Sequence, residues 1–172
     1  MATNKLSSIA HKIKHRQTPK DVFITPVPLA VKCIAQHNPL TPGIWLDPFM
    51  NDGSFYKNFP TNPGEKDWCE ILNDKDFFQY KKKVSVISSN PPYSLLDKVF
   101  EHTLKICEVE FGYLIGMNNL TARRIEMCNK AGFYLKSMFM CKVYKWWGMS
   151  IYVVFSKKID KNIIDYDRVV WK

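Results

Sequence analysis

The chain has 172 residues, of which 46% are apolar and 14% aromatic, enough for one well-packed core and too little for two domains of ordinary size. No apolar run approaches the roughly 18 residues that a membrane helix needs, and the N-terminus lacks the apolar stretch of a secretory signal. We therefore expect an intracellular protein with no membrane partner. The formal net charge of +9 favours a polyanionic partner, and a basic surface that only confers solubility is the alternative.

The positive charge is unevenly distributed along the sequence. Residues 1–20 contain five basic side chains and no acidic one, which predicts a flexible basic arm, and residues 21–172 are expected to form a single compact domain. Between Asp47 and Asp76 the acidic side chains outnumber the basic ones. This pattern suits a surface that attracts a polyanion around a pocket that holds a cationic or hydroxyl-rich small molecule.

The five cysteines predict reduced, mostly buried thiols. Their odd number cannot pair completely, no two of them form a CxxC motif, and no histidine lies at a matching spacing. Neither a disulfide framework nor a metal site is expected.

Apolar periodicity predicts that helices and strands alternate along the domain. The predicted elements are a helix over 26–37, a strand over 44–46, a short apolar segment near 68–72, a strand over 84–88, a helix over 94–107, a strand over 111–117, a helix over 121–130 and an antiparallel hairpin over 133–158 that turns near Trp147. This order predicts an α/β fold with an open, mostly parallel sheet, helices on both faces and a C-terminal antiparallel hairpin. Ligands bind such sheets beyond the carboxyl ends of the strands, where the segments beginning at Asp47 and Asn90 fall.

The segment Ser89-Asn90-Pro91-Pro92-Tyr93 carries the most specific signal. Its two prolines fix φ at about −65° and remove two backbone donors, which makes a stiff loop with outward carbonyl groups. The side-chain oxygen of Asn90 and the carbonyl of Pro91 then accept both hydrogens of an exocyclic amino group, and Tyr93 stacks on the ring that carries it. The alternative is a rigid turn that only ends a strand.

Three segments together resemble the amino-group methyltransferases that use S-adenosylmethionine, most closely the DNA adenine-N6 enzymes. In that family a motif of the form Asp/Asn/Ser-Pro-Pro-Tyr follows the fourth strand, as residues 90–93 follow a predicted strand here. The family's cofactor loop, Asp-Pro-Phe-x-Gly-x-Gly-x-Phe, is similar to residues 47–55, and residues 21–26 look like its N-terminal cofactor motif. The resemblance spans about residues 20–158 and implies a Rossmann-like methyltransferase fold.

The resemblance also implies which positions bind S-adenosylmethionine. Glu70 stands where the family's ribose-binding carboxylate is expected, and Asp76 and Phe77 resemble the pair that meets the adenine amine and packs the purine. For these three residues the alternative is an ordinary surface acid or core aromatic. The remaining cofactor positions implied by the resemblance are Thr25, Pro26, Asp47, Pro48, Phe49, Asn51, Gly53 and Phe55.

Two departures from the family pattern change what is expected. Asn51 replaces the first glycine of the cofactor loop, and asparagine is the non-glycine residue that best tolerates a positive φ. The distance from this loop to Asn90 is short for a full set of alternating strands and helices. An intervening helix is therefore expected to be missing.

The resemblance implies direct methyl transfer to the N6 amino group of adenine in DNA. Asn90, Pro91, Pro92 and Tyr93 match the catalytic motif, whose acceptors favour sp³ character at the amino nitrogen and aim its lone pair at the methyl group. No general base is required, because positioning and charge complementarity supply the rate. A duplex buries its adenines, so the target base is flipped out or already single-stranded.

Nucleic-acid contacts are expected from one aromatic pair and several basic side chains. Trp146 and Trp147 in the final hairpin are expected to stack on the extruded base, with a hydrophobic cap on the sheet edge as the alternative. No separate target-recognition domain is expected, so specificity would come from short loops, the basic arm, a specificity subunit or a homodimer. Phosphate contacts are predicted for Lys14, Arg16, Arg123, Arg124 and Lys145.

Other functions fit the same residues. Methyltransferases that act on adenine N6 in RNA, on cytosine N4 or on glutamine N5 share nearly identical loops. From a different class, a catalytically silent nucleic-acid-binding subunit would keep the fold, and Asn51 leaves that alternative open.

Overall fold

The computed structural model describes residues 23–60, 64–141, 149–164 and 166. The predicted arm over 1–20 and the predicted hairpin turn near Trp147 lie outside them. The helices are α1 (Val27–Ile34), α2 (Leu96–Ile106) and α3 (Ala122–Lys130). The strands are β1 (Trp45–Asp47), β2 (Lys66–Trp68), β3 (Val84–Ser89), β4 (Cys107–Gly116), β5 (Tyr134–Cys141) and β6 (Ser150–Ser156).

These strands form one six-stranded sheet in the order β2-β1-β3-β4-β6-β5. The first four are parallel, whereas β6 runs antiparallel to both β4 and β5. Leu46 pairs with Ile87 between β1 and β3, and Ser89 pairs with Tyr113 between β3 and β4. The prediction of a mostly parallel α/β sheet that ends in an antiparallel hairpin is confirmed.

Alternate residues of the strands form two apolar layers, one on each face of the sheet. The layer under α2 and α3 includes Leu46, Ile87 and Phe111. The layer under α1 includes Trp45 and Val86. Helices therefore cover both faces, as predicted, and the four central strands β1, β3, β4 and β6 are mostly buried on both sides.

The helices are shorter than their apolar patterns predict. α1 ends at Ile34, three residues early, because the chain turns ahead of Pro39 and a residue before proline is disfavoured in the helical region. α2 begins at Leu96, two residues late, because a 3₁₀ turn over 93–95 follows the stiff loop. α3 matches its prediction except that Thr121 is the N-cap, which accepts a hydrogen bond from the backbone of the first turn.

β4 is longer at its start than predicted because a buried acid interrupts its apolar pattern. The pattern predicts a strand over 111–117, whereas the strand begins at Cys107. Glu110 is only 1% exposed, and it accepts hydrogen bonds from His37 and Lys136 at 2.9 Å each. A carboxylate with two such partners is tolerated in a strand interior, which no local pattern reveals.

The chain between β2 and β3 contains no α-helix. It forms 3₁₀ turns over 71–73 and 77–79 instead, so the predicted loss of an intervening helix is confirmed. The apolar segment predicted near 68–72 is the end of β2 followed by the first of these turns, and β1 lies one residue later than the predicted 44–46.

The cysteines behave as predicted. All five thiols are free, four are buried, and Cys141 is half-buried.

Within the described ranges, no helix has the length and apolar character needed to cross a membrane. In the same ranges, no group of His, Cys, Asp and Glu side chains is arranged to hold a metal ion.

We expect Glu110→Gln to lower the free energy of unfolding by about 3 kcal/mol at pH 7, because the buried partners then face a neutral group. Burial opposes ionisation of Glu110, but the hydrogen bonds and charges of His37 and Lys136 outweigh it and lower the pKa from 4.5 to about 2. The carboxylate therefore stabilises the fold fully above pH 4.5, and this contribution is lost as the pH falls toward 2.

Urea unfolding at a series of pH values tests this expectation. The difference in stability between the wild type and Glu110→Gln should become smaller as the pH falls from 4.5 toward 2. The exposed Glu108 lies on the same strand, and Glu108→Gln should change stability by less than about 0.5 kcal/mol. A difference for Glu110→Gln that stays constant with pH would contradict the expectation.

Candidate functional site

The candidate site lies where two neighbouring strands end. β1 ends at Asp47 and β3 at Ser89, and because the strands are adjacent and parallel, the loops over 48–55 and 90–93 leave the same edge of the sheet. The hydroxyl of Ser89 donates to Oδ1 of Asp47 over 2.6 Å, which joins the bases of the two loops directly. The two predicted motifs are therefore brought together.

Asp47 is 1% exposed and organises the loop that follows it. Its Oδ1 also accepts from the N–H of Phe49 at 3.3 Å, and its Oδ2 accepts from the N–H of Tyr56 at 3.1 Å. Burial raises the pKa of Asp47 to about 7, the hydrogen bonds from Ser89 and the two amides oppose that rise, and the negative charge of Glu70 adds to it. A cation placed nearby would favour the ionised carboxylate.

Two left-handed backbone positions shape the loop over 48–55. Asn51 has a φ of 49° and Gly53 a φ of 88°, and the N–H of Gly53 donates to the carbonyl of Met50 at 2.7 Å. The expectation that asparagine stands in for glycine at a positive φ is confirmed. The N–H of Asn51 donates to Oε2 of Glu70 at 2.9 Å, which links the loop to the segment after β2.

Glu70 and Asp76 each cap one of the short 3₁₀ turns. Glu70 is 7% exposed, and its Oε1 accepts from the N–H of Leu72 at 3.3 Å. Asp76 is half-buried, and its Oδ1 accepts from the N–H of Phe78 at 3.0 Å. Both carboxylates thus have fixed positions beside the loop that follows β1.

A cavity of about 900 Å³ opens between the turn over 77–79 and α2. The rings of Phe49 and Phe77 meet edge to face with centroids 5.3 Å apart, and His102 packs edge-on against Phe77 at 4.8 Å. Four predicted cofactor residues therefore line a single aromatic cavity: Pro48, Phe49, Asp76 and Phe77.

Asn90 joins the catalytic motif to the N-terminal cofactor motif. Its Nδ2 donates to Oγ1 of Thr25 at 3.2 Å, and in this orientation its Oδ1 is kept as an acceptor. A small second cavity is lined by Thr25 and Asn90 together with Phe49, Asn51 and Phe55. The structure thus gathers residues from three predicted segments at one place.

Tyr93 is held across the carboxyl edge of the sheet. Its hydroxyl is hydrogen-bonded to the side chain of Ser150, and burial raises its pKa to about 12. A Cβ at Gly116 would lie 3.6 Å from the Tyr93 ring, so the ring passes close to the end of β4. The preceding Pro91 and Pro92 are buried.

The predicted phosphate contacts differ in how they are placed. Arg124 donates to Oδ1 of Asp97 at 2.9 Å and to the carbonyl of Asn119 at 2.6 Å, which leaves its side chain 14% exposed. The side chain of Arg123 is 68% exposed. The other predicted contacts lie outside the described residues: Lys14, Arg16, Lys145, Trp146 and Trp147.

Sequence reasoning missed the roles of several residues of the site. Ser89 holds Asp47, and Leu95 and His102 line the large cavity. Leu95 and His102 are seven residues apart, about two turns of helix, so their shared face was readable from the spacing. Pro26, which was predicted to bind the cofactor, is exposed ahead of α1 and lines neither of the two cavities.

Comparison with solved structures identifies the fold. A methyltransferase from Pyrococcus furiosus matches with a TM-score of 0.56 at 12% identity, over 91% of this chain and 99% of that chain. The magnesium protoporphyrin IX methyltransferase of Synechocystis PCC 6803, solved with bound S-adenosylmethionine, matches with a TM-score of 0.55 at 9% identity, over 85% and 91%. A hemolysin candidate from Lactococcus lactis matches with a TM-score of 0.56 at 14% identity, over 78% and 87%.

The chain therefore has the Rossmann-like fold of methyltransferases. No protein-family model matches its sequence, and no curated protein matches it either. Identities this low concern the fold alone, and one fold supports many reactions. The reaction has to be argued from the residues of the site.

The positive φ of Asn51 leads to a prediction about the stability of the fold. Asn51→Val should lower the free energy of unfolding by about 1–2 kcal/mol, because a side chain branched at Cβ is strained at positive φ. Asn51→Gly should be close to neutral, because glycine adopts this conformation without strain. Urea unfolding of both variants measures the difference.

Asn73→Val serves as the control, because Asn73 is exposed and is not among the residues of positive φ. Equal losses for valine at the two positions would contradict the role given to the backbone of Asn51.

Proposed function

We propose that this protein is an S-adenosylmethionine-dependent methyltransferase that acts on the N6 amino group of adenine in DNA. The fold is shared with methyltransferases, one of them solved with that cofactor. The observation that carries the proposal is the hydrogen bond from Asn90 to Thr25, because it joins the catalytic motif and the cofactor motif in one site. The loop organised by Asp47 leaves the same edge of the sheet.

The residues around the large cavity fit an adenosyl group. Aromatic rings dominate its wall near the end of β1, and the carboxylate of Asp76 lies among them as an acceptor for an amine. The buried acids Asp47 and Glu70 lie close enough for the charge of Glu70 to raise the pKa of Asp47. Such a pair of carboxylates favours a cationic ligand, and S-adenosylmethionine carries a sulfonium.

The cofactor positions then divide between the two ends of the ligand. Phe49, Phe77 and Asp76 hold the adenine end, Glu70 faces the ribose, and the loop after Asp47 holds the methionine end. S-adenosylmethionine supplies an activated methyl group when it is bound. The rigid loop over 48–55 orients that group toward the neighbouring strand end.

Asn90 and Pro91 orient the target amine. The Nδ2 of Asn90 is committed to Thr25, so Oδ1 and the carbonyl of Pro91 serve as the two acceptors for the amino hydrogens. With both hydrogens held, the nitrogen lone pair is directed out of the plane of the base. Tyr93 supplies a ring for stacking, and the bond to Ser150 fixes its orientation.

The connections of the chain favour a nucleic-acid substrate. The chain reaches Thr25 directly after the basic residues of 1–20, and Thr25 contacts Asn90. β6 begins at Ser150, which contacts Tyr93, directly after the segment that holds Lys145, Trp146 and Trp147. Cationic and aromatic side chains are the usual partners of phosphates and unstacked bases.

DNA is the proposed substrate because the motifs resemble the DNA enzymes most closely. Tritiated methyl transfer to DNA, RNA and protein offered in parallel, followed by mass spectrometry of the nucleosides, tests the proposal. N6-methyladenine in DNA would support the proposal. Labelled RNA, N4-methylcytosine or labelled protein would show that the substrate is a different one. Calorimetry that shows no binding of S-adenosylmethionine would instead support a catalytically silent subunit.

The proposal includes one compact domain over residues 21–172. Sequence specificity would then come from short loops, the basic arm, a specificity subunit or a second copy in a homodimer. Size-exclusion chromatography with and without DNA distinguishes the last of these.

We expect Asn90→Ala to reduce methyl transfer at least about a hundredfold, the usual loss when one positioned hydrogen-bonding group is removed from the reacting centre. Affinity for S-adenosylmethionine should stay within a few-fold, because Asn90 addresses the amine rather than the cofactor. Single-turnover transfer and calorimetry measure the two effects separately.

Asn38→Ala is a matched control. The side chain of Asn38 accepts one hydrogen bond, from the N–H of Leu40, and the N–H of Asn38 donates to Glu110 near the start of β4, far from the carboxyl edge. This control should retain transfer. Preserved turnover in Asn90→Ala would contradict its role, and a joint loss of transfer and cofactor binding would indicate misfolding, to be checked by circular dichroism.

Deleting residues 1–18 should weaken nucleic-acid binding and flatten the slope of log K against log salt concentration. The deletion removes four basic side chains and no acidic one. Each lost phosphate contact is worth about 0.9 of a unit in the slope on duplex DNA and about 0.7 on a single strand. A salt titration of both proteins measures it, with cofactor affinity as the control, and an unchanged slope would exclude the arm from the interface.

A further inference from the structure

A continuous line of hydrogen bonds crosses the interior of the sheet. Nδ1 of His37 lies 2.9 Å from Oε1 of Glu110, and Nε2 of His37 lies 2.7 Å from the hydroxyl of Tyr152. That hydroxyl lies 2.6 Å from Oγ of Ser88. All four residues are buried, and they connect the turn after α1 with β4, β6 and β3. No step of the proposed reaction uses them.

The bonding partners assign a direction to this line. Glu110 also accepts from Nζ of Lys136 at 2.9 Å and is ionised, so His37 donates to it from Nδ1. Burial lowers the pKa of His37, so its ring is assigned as neutral and its Nε2 accepts from the hydroxyl of Tyr152. The oxygen of Tyr152 is then free to accept from Ser88. Each donor hydrogen therefore has a single acceptor, and the line has one pattern of hydrogen bonds rather than several.

Gly112 on β4 makes room for the line. A Cβ at this position would collide with the hydroxyl of Tyr152 and would stand 2.7 Å from Nε2 of His37. Gly112 pairs with Ser88 in the sheet, so the hydroxyl of Tyr152 sits against both strands at once. The backbone of β4 therefore leaves this hydroxyl little freedom to move.

Ser88 begins a run of three residues that tie the end of β3 to other parts of the molecule. Ser88 bonds Tyr152, Ser89 bonds Asp47 at 2.6 Å, and Asn90 bonds Thr25 at 3.2 Å. Neighbouring residues of a strand point to opposite faces. Ser88 and Ser89 therefore restrain the strand end from both sides, immediately before the residue that addresses the target amine.

We propose that Tyr152 and Ser88 are positioning residues that hold Asn90 in place for the transfer. The inference rests on the proposed function, in which the amine has to be placed to within a fraction of an ångström. An apolar contact in place of the Tyr152 hydroxyl would fill the space without fixing the end of β3, because apolar contacts lack direction. The loss of the hydroxyl leaves Ser88 and His37 buried without this partner.

Tyr152→Phe tests the proposal against the matched variant Tyr113→Phe. Tyr113 is equally buried, lies beside Ser89 in the sheet, and its hydroxyl bonds Thr103 on α2 instead of β3. Both variants should lower the melting temperature, Tyr152→Phe by more, because it leaves two buried partners unmatched and Tyr113→Phe leaves one. Tyr152→Phe should lower kcat about tenfold or more, with KM for DNA and Kd for the cofactor within about twofold, and Tyr113→Phe should leave kcat within about twofold.

Ser88→Ala provides a second, smaller change. It should lower kcat as Tyr152→Phe does, and the double variant should lose no more than either single variant, because both remove the same restraint. Additive losses, or equal kcat values for Tyr152→Phe and Tyr113→Phe, would overturn the proposal.

Amide hydrogen exchange tests the positioning role apart from the reaction. Exchange over residues 88–93 should be faster in Tyr152→Phe than in Tyr113→Phe, and equal exchange would overturn the proposal even if the wild type is active. A wild type that transfers no methyl group while this difference in exchange is present would refute the proposed function and leave the restraint on β3 established.

Discussion

One buried carboxylate connects the parts of the candidate site. Asp47 receives a hydroxyl from β3 and two backbone amides from its own loop, all within 3.3 Å. Removing a carboxylate from water costs several kcal/mol unless donors replace the lost hydration. Moving any of these donors away would leave Asp47 with one hydrogen bond fewer, and this penalty keeps the donors in place. Glu70 extends the unit by accepting from Asn51 in the same loop. Hydrogen bonds therefore join the loop to both the end of β3 and the turn after β2.

The apolar layers and the buried polar groups have different tasks. Residues such as Phe100 and Phe111 fill the space between helix and sheet, and many apolar side chains of similar volume would do the same. Hydrogen bonds such as that between Ser89 and Asp47 accept few substitutes, because an unmatched partner costs about 1–3 kcal/mol. Asp47, Ser88, Ser89 and Glu110 are buried polar groups on β1, β3 and β4, and β1 and β3 carry the loops of the site. Packing thus specifies the fold, and polar burial specifies the geometry of its edge.

The local signals of the sequence placed the motifs correctly, because strand ends and proline-rich loops are short-range features. The segments beginning at Asp47 and Asn90 meet at one edge as predicted, and Asn51 has the positive φ expected of it. The start of β4 was wrong, because the partners of Glu110 lie 26 and 73 positions away and leave no trace in a local pattern. The hydrogen bond of Tyr152 likewise leaves no trace in a local pattern, because its partner His37 is 115 positions distant. Apolar periodicity therefore cannot predict hydrogen bonds between polar residues that are distant in the sequence.

Charge is arranged differently for the two ligands of the proposed reaction. Asp47 and Glu70 are buried within interaction distance of each other, and at an effective dielectric constant of about 20 a charge 4 Å away is worth about 4 kcal/mol. In the proposed reaction these two acids would favour a sulfonium over the neutral thioether that remains after transfer. Physiological salt would largely screen these acids from phosphates of a bound strand that lay more than about 8 Å away. An acidic pocket and a polyanionic substrate are thus compatible, provided that cations contact the phosphates closely, and residues 1–20 supply five of them without an acid.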